Sequence, residues 1–261
     1  MEYLFNRIEK ILEKFKSAQR LLFFFDYDGT LTPIVNHPEK AKLSKEQKGL
    51  LTAFRNYPKF ILAIVSGRSL KDIQRRVGLK GIYYIGNHGL EISGPGFEKR
   101  YPFGKEVILE LKTIRVRLED QLERIGGLFF EDKGWILAIH YRNVDPQWVP
   151  SILMALKQEV KDSPIPLCIK FGKMVFEIRP KVDVDKGKAV LEVLNRLHST
   201  NLFPLYIGDD QTDEDAFRIL NQKGITIFVG PPSNSSAQYY VHGPFEVYQF
   251  LKMAKKELIL Q

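Results

Sequence analysis

Residues 21–31 read LLFFFDYDGTL, and this stretch decides the fold. Its first five residues are all apolar, which is typical of a short strand that is covered on both faces, as in a parallel sheet. Two carboxylates, Asp26 and Asp28, follow this strand directly. Because open α/β sheets bind their ligands beside the carboxyl ends of their strands, we expect both side chains to lie in a functional site.

Short apolar runs alternate with helical segments on both sides of this stretch. Such alternation predicts βαβ crossovers and an α/β fold, namely a three-layer, Rossmann-like core with a parallel sheet. Ser44 and Ser69 are the predicted N-caps of two helices, because serine favours that position. The predicted strands are residues 21–25, 60–65, 82–85, 205–207 and 225–229, and the predicted helices include residues 4–15, 188–197, 213–220 and 244–258.

The alternation breaks in the middle of the chain, where the predicted order is helix, strand, strand, helix, strand, strand. Two hairpins are predicted there, around residues 132–134 and around residues 172–173, and an amphipathic helix precedes each one. The order αββαββ is typical of a separate α+β domain. We therefore expect residues 1–104 and 181–261 to form one core domain and residues 105–180 to form a domain inserted into it.

The composition excludes several classes of protein. With 44% hydrophobic and 27% charged residues, the chain is typical of globular proteins and not of disordered ones. Its net charge of +8 suits nucleic acid, an anionic membrane or a phosphorylated small molecule. Basic residues alternate with acidic ones instead of clustering, which argues against nucleic acid as partner. A single cysteine, Cys168, excludes an internal disulfide and a cysteine-based zinc site.

The chain contains no apolar run long enough to cross a membrane, and its N-terminal residues mix acids and bases with apolar residues. We therefore expect a soluble, cytoplasmic protein without membrane partners. We also expect it to be a monomer.

A second acidic stretch, GDDQTDED at residues 208–215, follows another predicted strand. Asp213 could simply begin a helix, where a negative charge is favourable. That interpretation does not explain the neighbouring pair Asp209 and Asp210 at the strand end. Two acidic clusters on one sheet edge would repel each other unless a cation lay between them, and carboxylate oxygens favour a hard ion such as Mg²⁺.

Two further segments have the composition of a phosphate-binding site. Ser66, Gly67 and Arg68 follow a predicted strand, and a hydroxyl, backbone N–H groups and a helix start there could hold a phosphate. A serine–glycine pair is also a common turn. Lys186 stands at a predicted helix start, where a positive charge opposes the helix dipole unless an anion is nearby.

These four elements, in this order, resemble the four motifs of the haloacid dehalogenase (HAD) superfamily of phosphatases. Other segments resemble the trehalose-6-phosphate phosphatase branch of that superfamily, and the inserted αββαββ unit falls where the family has its type C2B caps. The segments are GDDQTDEDAF at 208–217, IVSGR at 64–68, GNHGLE at 86–91, EDKG at 131–134, HYR at 140–142 and EIRP at 177–180.

The resemblance implies a mechanism and a cofactor. Asp26 would attack phosphorus and form an aspartyl-phosphate, while Asp28 would protonate the leaving sugar oxygen and then activate water. Ser66 and Lys186 would hold phosphoryl oxygens. Mg²⁺ would be bound by Asp26, by the backbone carbonyl of Asp28 and by Asp209. Asp210 and Asp213 would support these ligands from outside. The implied metal-site residues are Asp26, Asp28, Asp209, Asp210 and Asp213.

The resemblance also implies a substrate, trehalose 6-phosphate, and a phosphatase without the glycosyltransferase domain of some family members. Lys173 and Glu177 are expected to project toward the core domain. For the residues of the inserted domain, a solvated sheet face is the alternative explanation. The implied substrate-binding residues are Gly67, Arg68, Asn87, His88, Glu131, Lys133, Arg142, Lys173 and Glu177.

Other functions remain open at this point. The core motifs would equally serve a phosphatase for sucrose 6-phosphate, mannosylglycerate phosphate or hexose phosphates in general, and a phosphomutase can use the same core and cap. The net charge leaves a nucleic-acid-binding protein as a hypothesis from another class. The residues of the inserted domain would have to discriminate among the sugar phosphates.

Overall fold

The computed structural model describes residues 1–197 and 201–260, and the chain divides into two compact units. The larger unit consists of Met1–Arg100 and Val184–Gln261, and the smaller unit is Tyr101–Asp183. The smaller unit therefore begins and ends a few residues outside the predicted limits of 105 and 180. The flanking residues join the smaller unit through individual contacts, which leave no periodic pattern in the sequence. The Phe103 ring lies 5.4 Å from that of Trp135, and the Lys181 N–H donates to the Pro166 carbonyl.

Strands make up two separate sheets. The strands of the described residues are β1 (Glu2–Tyr3), β2 (Arg20–Asp26), β3 (Phe60–Val65), β4 (Tyr83–Gly86), β5 (Glu91–Gly94), β6 (Phe97–Arg100), β7 (Phe129–Asp132), β8 (Leu137–His140), β9 (Leu167–Gly172), β10 (Val175–Pro180), β11 (Leu202–Gly208), β12 (Ile225–Val229) and β13 (Tyr239–Val241).

Helices pack against both sheets. The α-helices of the described residues are α1 (Ile8–Ser17), α2 (Lys45–Asn56), α3 (Leu70–Val77), α4 (Lys105–Gln121), α5 (Val149–Asp162), α6 (Lys186–Arg196), α7 (Glu214–Leu220) and α8 (Pro244–Ile259). Judged by length and hydropathy, none of these helices could span a membrane.

The sheet of the larger unit is mostly parallel, in the order β1-β13-β12-β11-β2-β3-β4-β5-β6. Among the described residues, the neighbouring strands from β1 to β4 in this order pair in parallel, and the β4–β5 and β5–β6 pairs are antiparallel. Strand β2 is in the interior of this sheet, which explains its run of apolar residues. The two-strand hairpin of β5 and β6 extends one edge and was not predicted.

Helices cover this sheet on both faces, so the predicted three-layer α/β fold is confirmed. Along β2, Phe23 and Phe25 pack with α1, α2, α3 and α8, whereas Leu22 and Phe24 pack on the opposite face with α6 and α7. Successive side chains of a strand point to opposite faces, and here both faces are buried. Ser44 caps α2 as predicted, since its hydroxyl accepts from the Gln47 N–H.

The smaller unit has its own sheet and its own core. Its four strands are antiparallel in the order β7-β8-β10-β9, and α4 and α5 pack on one face of them. The observed order of elements is αββαββ, as the sequence predicts. The core of this unit joins Leu118 and Ile152 of the helices with Ile139 and Ile178 of the sheet.

Candidate active site

Acidic and hydroxyl side chains meet at the carboxyl edge of the larger sheet, where β2 lies between β3 and β11. Asp26 is the last residue of β2, Ser66 follows β3, and Asp209 follows β11. The structure brings the two acidic stretches of the sequence together, because carboxylate oxygens of Asp26, Asp209 and Asp213 lie within 4.8 Å of one another. All three of these residues are buried.

A buried lysine joins two of these acids. The Lys186 Nζ donates to Oδ1 of Asp26 at 2.6 Å and to Oδ1 of Asp213 at 2.7 Å. Lys186 is the first residue of α6, and the Asp185 carboxylate caps that helix by accepting from the Lys188 N–H. The unfavourable position of a lysine at a helix start is thus offset by two carboxylates.

Burial controls the ionisation of this group. Removal from water raises the pKa of Asp26 well above its usual range, although the nearby Lys186 ammonium acts in the opposite direction. Burial alone would lower the pKa of Lys186, but Asp213 and Asp26 outweigh that effect and hold its pKa above the ordinary value. The lysine therefore stays charged.

Asp213 organises the second acidic stretch. Its Oδ1 accepts from Lys186 and from the Tyr206 hydroxyl at 2.6 Å, and its Oδ2 accepts from the backbone N–H groups of Asp209 and Asp210. Both carboxylate oxygens are thus engaged by protein donors, so that Asp213 fixes the turn that presents Asp209. Sequence reasoning missed Tyr206, because a tyrosine within an apolar strand looks like an ordinary core residue.

The surroundings of Asp209 leave little room. Gly29 has a φ of +89°, and a Cβ at that position would lie 2.1 Å from Oδ2 of Asp209. The Thr30 hydroxyl donates to the other oxygen of Asp209 at 3.4 Å. Asp210, in contrast, accepts from the Thr212 hydroxyl with Oδ2 and is not part of the three-acid cluster.

Asp28 is held by an arginine. The Arg68 Nε donates to Oδ2 of Asp28 at 2.7 Å and its Nη2 donates to Oδ1 at 2.6 Å, a two-pronged contact with both carboxylate oxygens. Arg68 also donates to Asp72 on α3 and to the Pro38 carbonyl. Burial lowers the pKa of Arg68, but hydrogen bonds to these two acids more than reverse this and leave it above the ordinary value.

Ser66 and Gly67 lie beside a histidine. The Ser66 hydroxyl oxygen accepts from the Arg68 backbone N–H at 3.1 Å, and the side chain is buried. A Cβ on Gly67 would lie 2.4 Å from Nε2 of His88, so that only a glycine lets the imidazole approach so closely. These three predicted site residues are therefore neighbours in the structure.

The turn after β4 has an unusual backbone. Asn87 and His88 have φ values of +48° and +55°, in the left-handed region that non-glycine residues rarely adopt. Two hydrogen bonds hold this turn against the strand-end loop of β3: the Asn87 N–H donates to the Arg68 carbonyl, and the His88 N–H donates to the Ser66 carbonyl. Such strain is found mainly where a structure positions functional groups.

The start of α3 is occupied by protein groups. Oε2 of Glu91 accepts from the Leu70 backbone N–H at 3.0 Å and from the Asn87 side-chain amide at 2.9 Å, and the Ser69 hydroxyl accepts from the Asp72 N–H. The sequence suggested that N–H groups at this helix start would bind phosphate, and these two are already engaged. Glu91 was missed as a functional residue, although it closes the quoted GNHGLE motif.

In the smaller unit, three of the predicted residues and His140 form two pairs on one face of the sheet. The Lys133 Nζ contacts Oε1 of Glu177 at 2.8 Å, with both side chains largely buried, and His140 contacts Glu131 at 2.9 Å. Glu131 and Glu177 both stand opposite Ala138 in neighbouring strands, on the face away from α4 and α5. Strand β8 therefore lies between the two glutamates.

The remaining two predicted residues of this unit lie near the turn between β9 and β10. The Arg142 Nη2 donates to the backbone carbonyl of Lys173 at 3.1 Å. Met174, which follows Lys173, has a φ of +62°. Lys173 thus belongs to a tight turn, whereas Glu177 lies within β10.

The fold and the acids at the carboxyl edge of its parallel sheet define the class of protein: an α/β enzyme with the haloacid dehalogenase fold. The sequence model of the family described as Trehalose-phosphatase matches residues 24–244, and the chain belongs to this family. The predicted family is therefore confirmed. The C2B subtype of the smaller unit stays a prediction.

Curated relatives and solved structures agree with this assignment. Probable trehalose-phosphate phosphatase D of Arabidopsis thaliana is 35% identical over 259 residues, which cover 94% of this chain and 69% of the relative. Probable trehalose-phosphate phosphatase 2 of Oryza sativa subsp. japonica is 36% identical, with 90% and 68% covered. The C-terminal domain of trehalose-6-phosphate phosphatase from C. albicans superposes with a TM-score of 0.80 at 27% identity, covering 95% of this chain and 96% of that one.

Proposed function

We propose that this chain hydrolyses trehalose 6-phosphate to trehalose and phosphate through an aspartyl-phosphate on Asp26. The observation that supports this most directly is the buried group of Asp26, Lys186 and Asp213 at the end of β2, in a chain of the trehalose-phosphatase family. A carboxylate that is buried beside a fixed cation can attack phosphorus without first reorganising water around it.

The acidic cluster fits Mg²⁺. Asp26, Asp209 and Asp213 offer only carboxylate oxygens, and one lysine is too little positive charge to neutralise three buried acids. Asp26, the Asp28 carbonyl and Asp209 would hold the ion, while Asp213 and Asp210 support them from behind. When bound, the ion would neutralise phosphate charge and orient the phosphoryl group.

The side chains of this chain then divide the chemistry between them. Asp26 attacks phosphorus. Asp28 enters this step with a proton on a carboxyl lone pair that Arg68 does not occupy, and it gives that proton to the sugar oxygen as the bond from phosphorus to that oxygen breaks. Asp28 next takes a proton from water, whose oxygen attacks phosphorus and releases Asp26. Ser66 and Lys186 hold phosphoryl oxygens, and the N–H of Gly67 lies next to Ser66 in the same loop.

The smaller unit would act as a cap that recognises the sugar. Its paired residues Lys133 with Glu177 and His140 with Glu131 supply the donors and acceptors that sugar hydroxyls require. Arg142 and Lys173 would add to this set, and Asn87 and His88 would contribute from the larger unit. The substrate would be a small-molecule sugar phosphate, and we propose a cytoplasmic monomer without nucleic-acid or membrane partners.

A phosphate-release assay tests the proposal. The purified chain would be given trehalose, sucrose, mannosylglycerate and glucose phosphates with Mg²⁺, and a hexose bisphosphate requirement would reveal a mutase instead. We expect trehalose 6-phosphate to be the preferred substrate and Asp26→Asn to lower kcat at least about a thousandfold. Asp120→Asn, on the exposed side of α4, is the matched control that should leave kcat unchanged. Phosphate release by a folded Asp26→Asn variant at the wild-type rate would refute the proposal.

A further inference from the structure

We infer that Arg68 is a positioning residue that orients Asp28 for both proton transfers, and that it does not bind the substrate phosphate. This inference rests on the proposed function, since it assigns a role within that reaction. It differs from the substrate-binding role that the resemblance implied for Arg68. The supporting observations are the hydrogen bonds of the Arg68 guanidinium, to Asp28 on the one hand and to Asp72 and the Pro38 carbonyl on the other.

The contact with Asp28 fixes the plane of a carboxylate that is partly exposed to solvent. The side chain of Asp28 is 41% exposed, whereas that of Arg68 is only 5% exposed. An exposed aspartate normally samples several rotamers, but Nε and Nη2 of Arg68 hold one oxygen each at 2.7 and 2.6 Å. A paired contact of this kind defines direction as well as distance, which a lysine cannot do.

Arg68 is itself held by protein groups. Its Nη1 donates to Oδ2 of Asp72 at 3.1 Å, its Nη2 also donates to the Pro38 carbonyl at 2.8 Å, and its guanidinium lies 5.5 Å from the centre of the Tyr27 ring. Asp72 is in turn bound by Arg76, whose Nη1 donates to the Ala41 carbonyl. The guanidinium is therefore placed by α3 and the loop of residues 38–41.

A residue that acts through Asp28 should affect only the steps in which Asp28 transfers a proton. The first step with a sugar phosphate needs a proton for the departing alkoxide. The same step with 4-nitrophenyl phosphate does not, because 4-nitrophenolate is stable enough to leave unprotonated. The second step, attack by water, needs Asp28 as base with either substrate. Arg68 should consequently matter least for formation of the aspartyl-phosphate from 4-nitrophenyl phosphate.

The experiment compares wild type with Arg68→Lys in steady-state and rapid-mixing assays, with Mg²⁺ present. For trehalose 6-phosphate we expect kcat to fall at least about tenfold while KM changes less than about threefold. For 4-nitrophenyl phosphate we expect the variant to release about one 4-nitrophenolate per active site in a burst, at a rate within about twofold of wild type, before a slow steady state.

Two further variants control the test. Arg7→Lys makes the same change at an exposed arginine whose Nε contacts both oxygens of Glu2, and it should behave as wild type. Asp72→Asn removes the negative charge that supports Arg68 but keeps the contact between Arg68 and Asp28. This variant should show the same kinetic pattern more weakly, and it provides a test even if Arg68→Lys folds poorly.

The outcomes separate the inference from the proposed function. If wild type fails to release phosphate from trehalose 6-phosphate, the proposed function is wrong. If wild type is active but Arg68→Lys loses the burst rate as strongly as the steady-state rate, Arg68 merely supports the structure. If KM for the sugar phosphate rises while kcat is kept, Arg68 binds the phosphate. Either of the last two results would overturn the inference.

Discussion

The charge balance around Lys186 has consequences for each residue near it. Asp26, Asp209 and Asp213 are buried within one small volume, and Lys186 is the cation that bonds to two of them. A buried charge without a partner is strongly destabilising, and like charges at short range add to that cost. Burial raises the pKa of Asp26, and the negative charges of Asp213 and Asp209 act in the same direction. A divalent cation would neutralise much of the negative charge of these three acids.

We therefore predict that Mg²⁺ stabilises the folded chain and that Asp209 is needed for this. A ligand that binds only the folded state adds about 2.7 kcal/mol at a concentration of 100 times its Kd. Thermal unfolding should show a higher Tm with Mg²⁺ for wild type and for Asp120→Asn, but not for Asp209→Asn. Calorimetric titration should show binding in the same two proteins only. An equal rise of Tm in Asp209→Asn would contradict the assignment.

Two glycines should respond in opposite ways to the same substitution. Gly29 has a φ of +89° and faces Asp209, so Gly29→Ala should lower the free energy of unfolding by about 1–3 kcal/mol and weaken Mg²⁺ binding. Gly49 lies within α2, and a Cβ added there would meet no atom within 4 Å, so Gly49→Ala should raise the free energy of unfolding by about 0.5–1 kcal/mol. Urea unfolding measures both changes. A stabilising Gly29→Ala would disprove the steric argument.

Sequence reasoning identified the chemistry-bearing residues better than the residues that position them. Asp26, Asp28 and Lys186 stand out because their types are unexpected where they occur, after a strand or at a helix start. Tyr206 and Glu91 do not stand out, because a tyrosine in a strand and a glutamate beside a turn are ordinary. Their importance comes from contacts with Asp213 and Leu70, which the fold alone creates.

At the scale of elements, polar contacts from β5 and β4 hold the segments at the two ends of α3. Glu91 binds the first N–H of α3, and at the other end the Tyr84 hydroxyl donates to the Leu79 carbonyl at 2.7 Å and accepts from the Leu79 N–H. Both contacts anchor the loops that flank the helix following Ser66. The placement of the loop that contains Ser66 therefore depends on β5 as well as on β3.

Tyr84 makes the free energy of unfolding depend on pH in the alkaline range. Burial raises its pKa to about 12, while a tyrosine in the unfolded chain titrates near 10. Because the unfolded state loses its proton first, the free energy of unfolding should fall as pH rises from about 10 to 12, by up to about 1.4 kcal/mol per pH unit. The contribution of Tyr84 to the free energy of unfolding is fully present below about pH 10.

Tyr84→Phe tests this dependence. At pH 7 the variant should be less stable by about 1–3 kcal/mol, since the Leu79 N–H and carbonyl lose their partner. Between pH 10 and 12 its stability should decline less steeply than that of wild type, because one buried hydroxyl fewer can titrate. Urea unfolding at several pH values measures the slopes, and identical slopes would show that Tyr84 does not contribute.

The elements that the sequence predicts are those with a strong apolar pattern. Strand β12, for example, has the predicted limits of 225 and 229. The hairpin of β5 and β6 was missed because its second strand, Phe97–Arg100, is mostly polar and exposed, and it forms by pairing at the sheet edge. Helix α6 begins at Lys186 instead of residue 188, because Asp185 caps it and a lysine at the first position obscures the start.

At the scale of the whole molecule, the described residues form three hydrophobic clusters, one on each face of the larger sheet and one in the smaller unit. The order of elements and the interruption by the smaller unit were predictable, since helical and strand periods are local properties. The contacts of charged residues within the smaller unit were not. Lys133 and Glu177 are far apart in the sequence, and only the pairing of β8 with β10 brings them to a distance of 2.8 Å.

This ion pair leads to a prediction about substrate choice. Trehalose 6-phosphate and glucose 6-phosphate share the phosphorylated ring, so that residues of the larger unit alone should not separate them. If the smaller unit recognises the second glucose, Glu177→Gln should reduce the ratio of kcat/KM for these two substrates by about tenfold or more, because a lost contact to a buried charged group costs about 1–3 kcal/mol. Hydrolysis of 4-nitrophenyl phosphate should stay within about threefold of wild type.

The matched control is Glu119→Gln, the same change at an exposed glutamate of α4 that pairs with Arg115. It should keep both the substrate ratio and the Tm. Glu177→Gln leaves Lys133 with a neutral acceptor, and a modest loss of Tm is expected because a buried charge loses its partner. The ratio of the two sugar phosphates is independent of that loss, since both are measured on the same folded protein. An unchanged ratio, or an equal fall for both sugar phosphates and 4-nitrophenyl phosphate, would remove Glu177 from sugar recognition and leave it a structural role in its sheet.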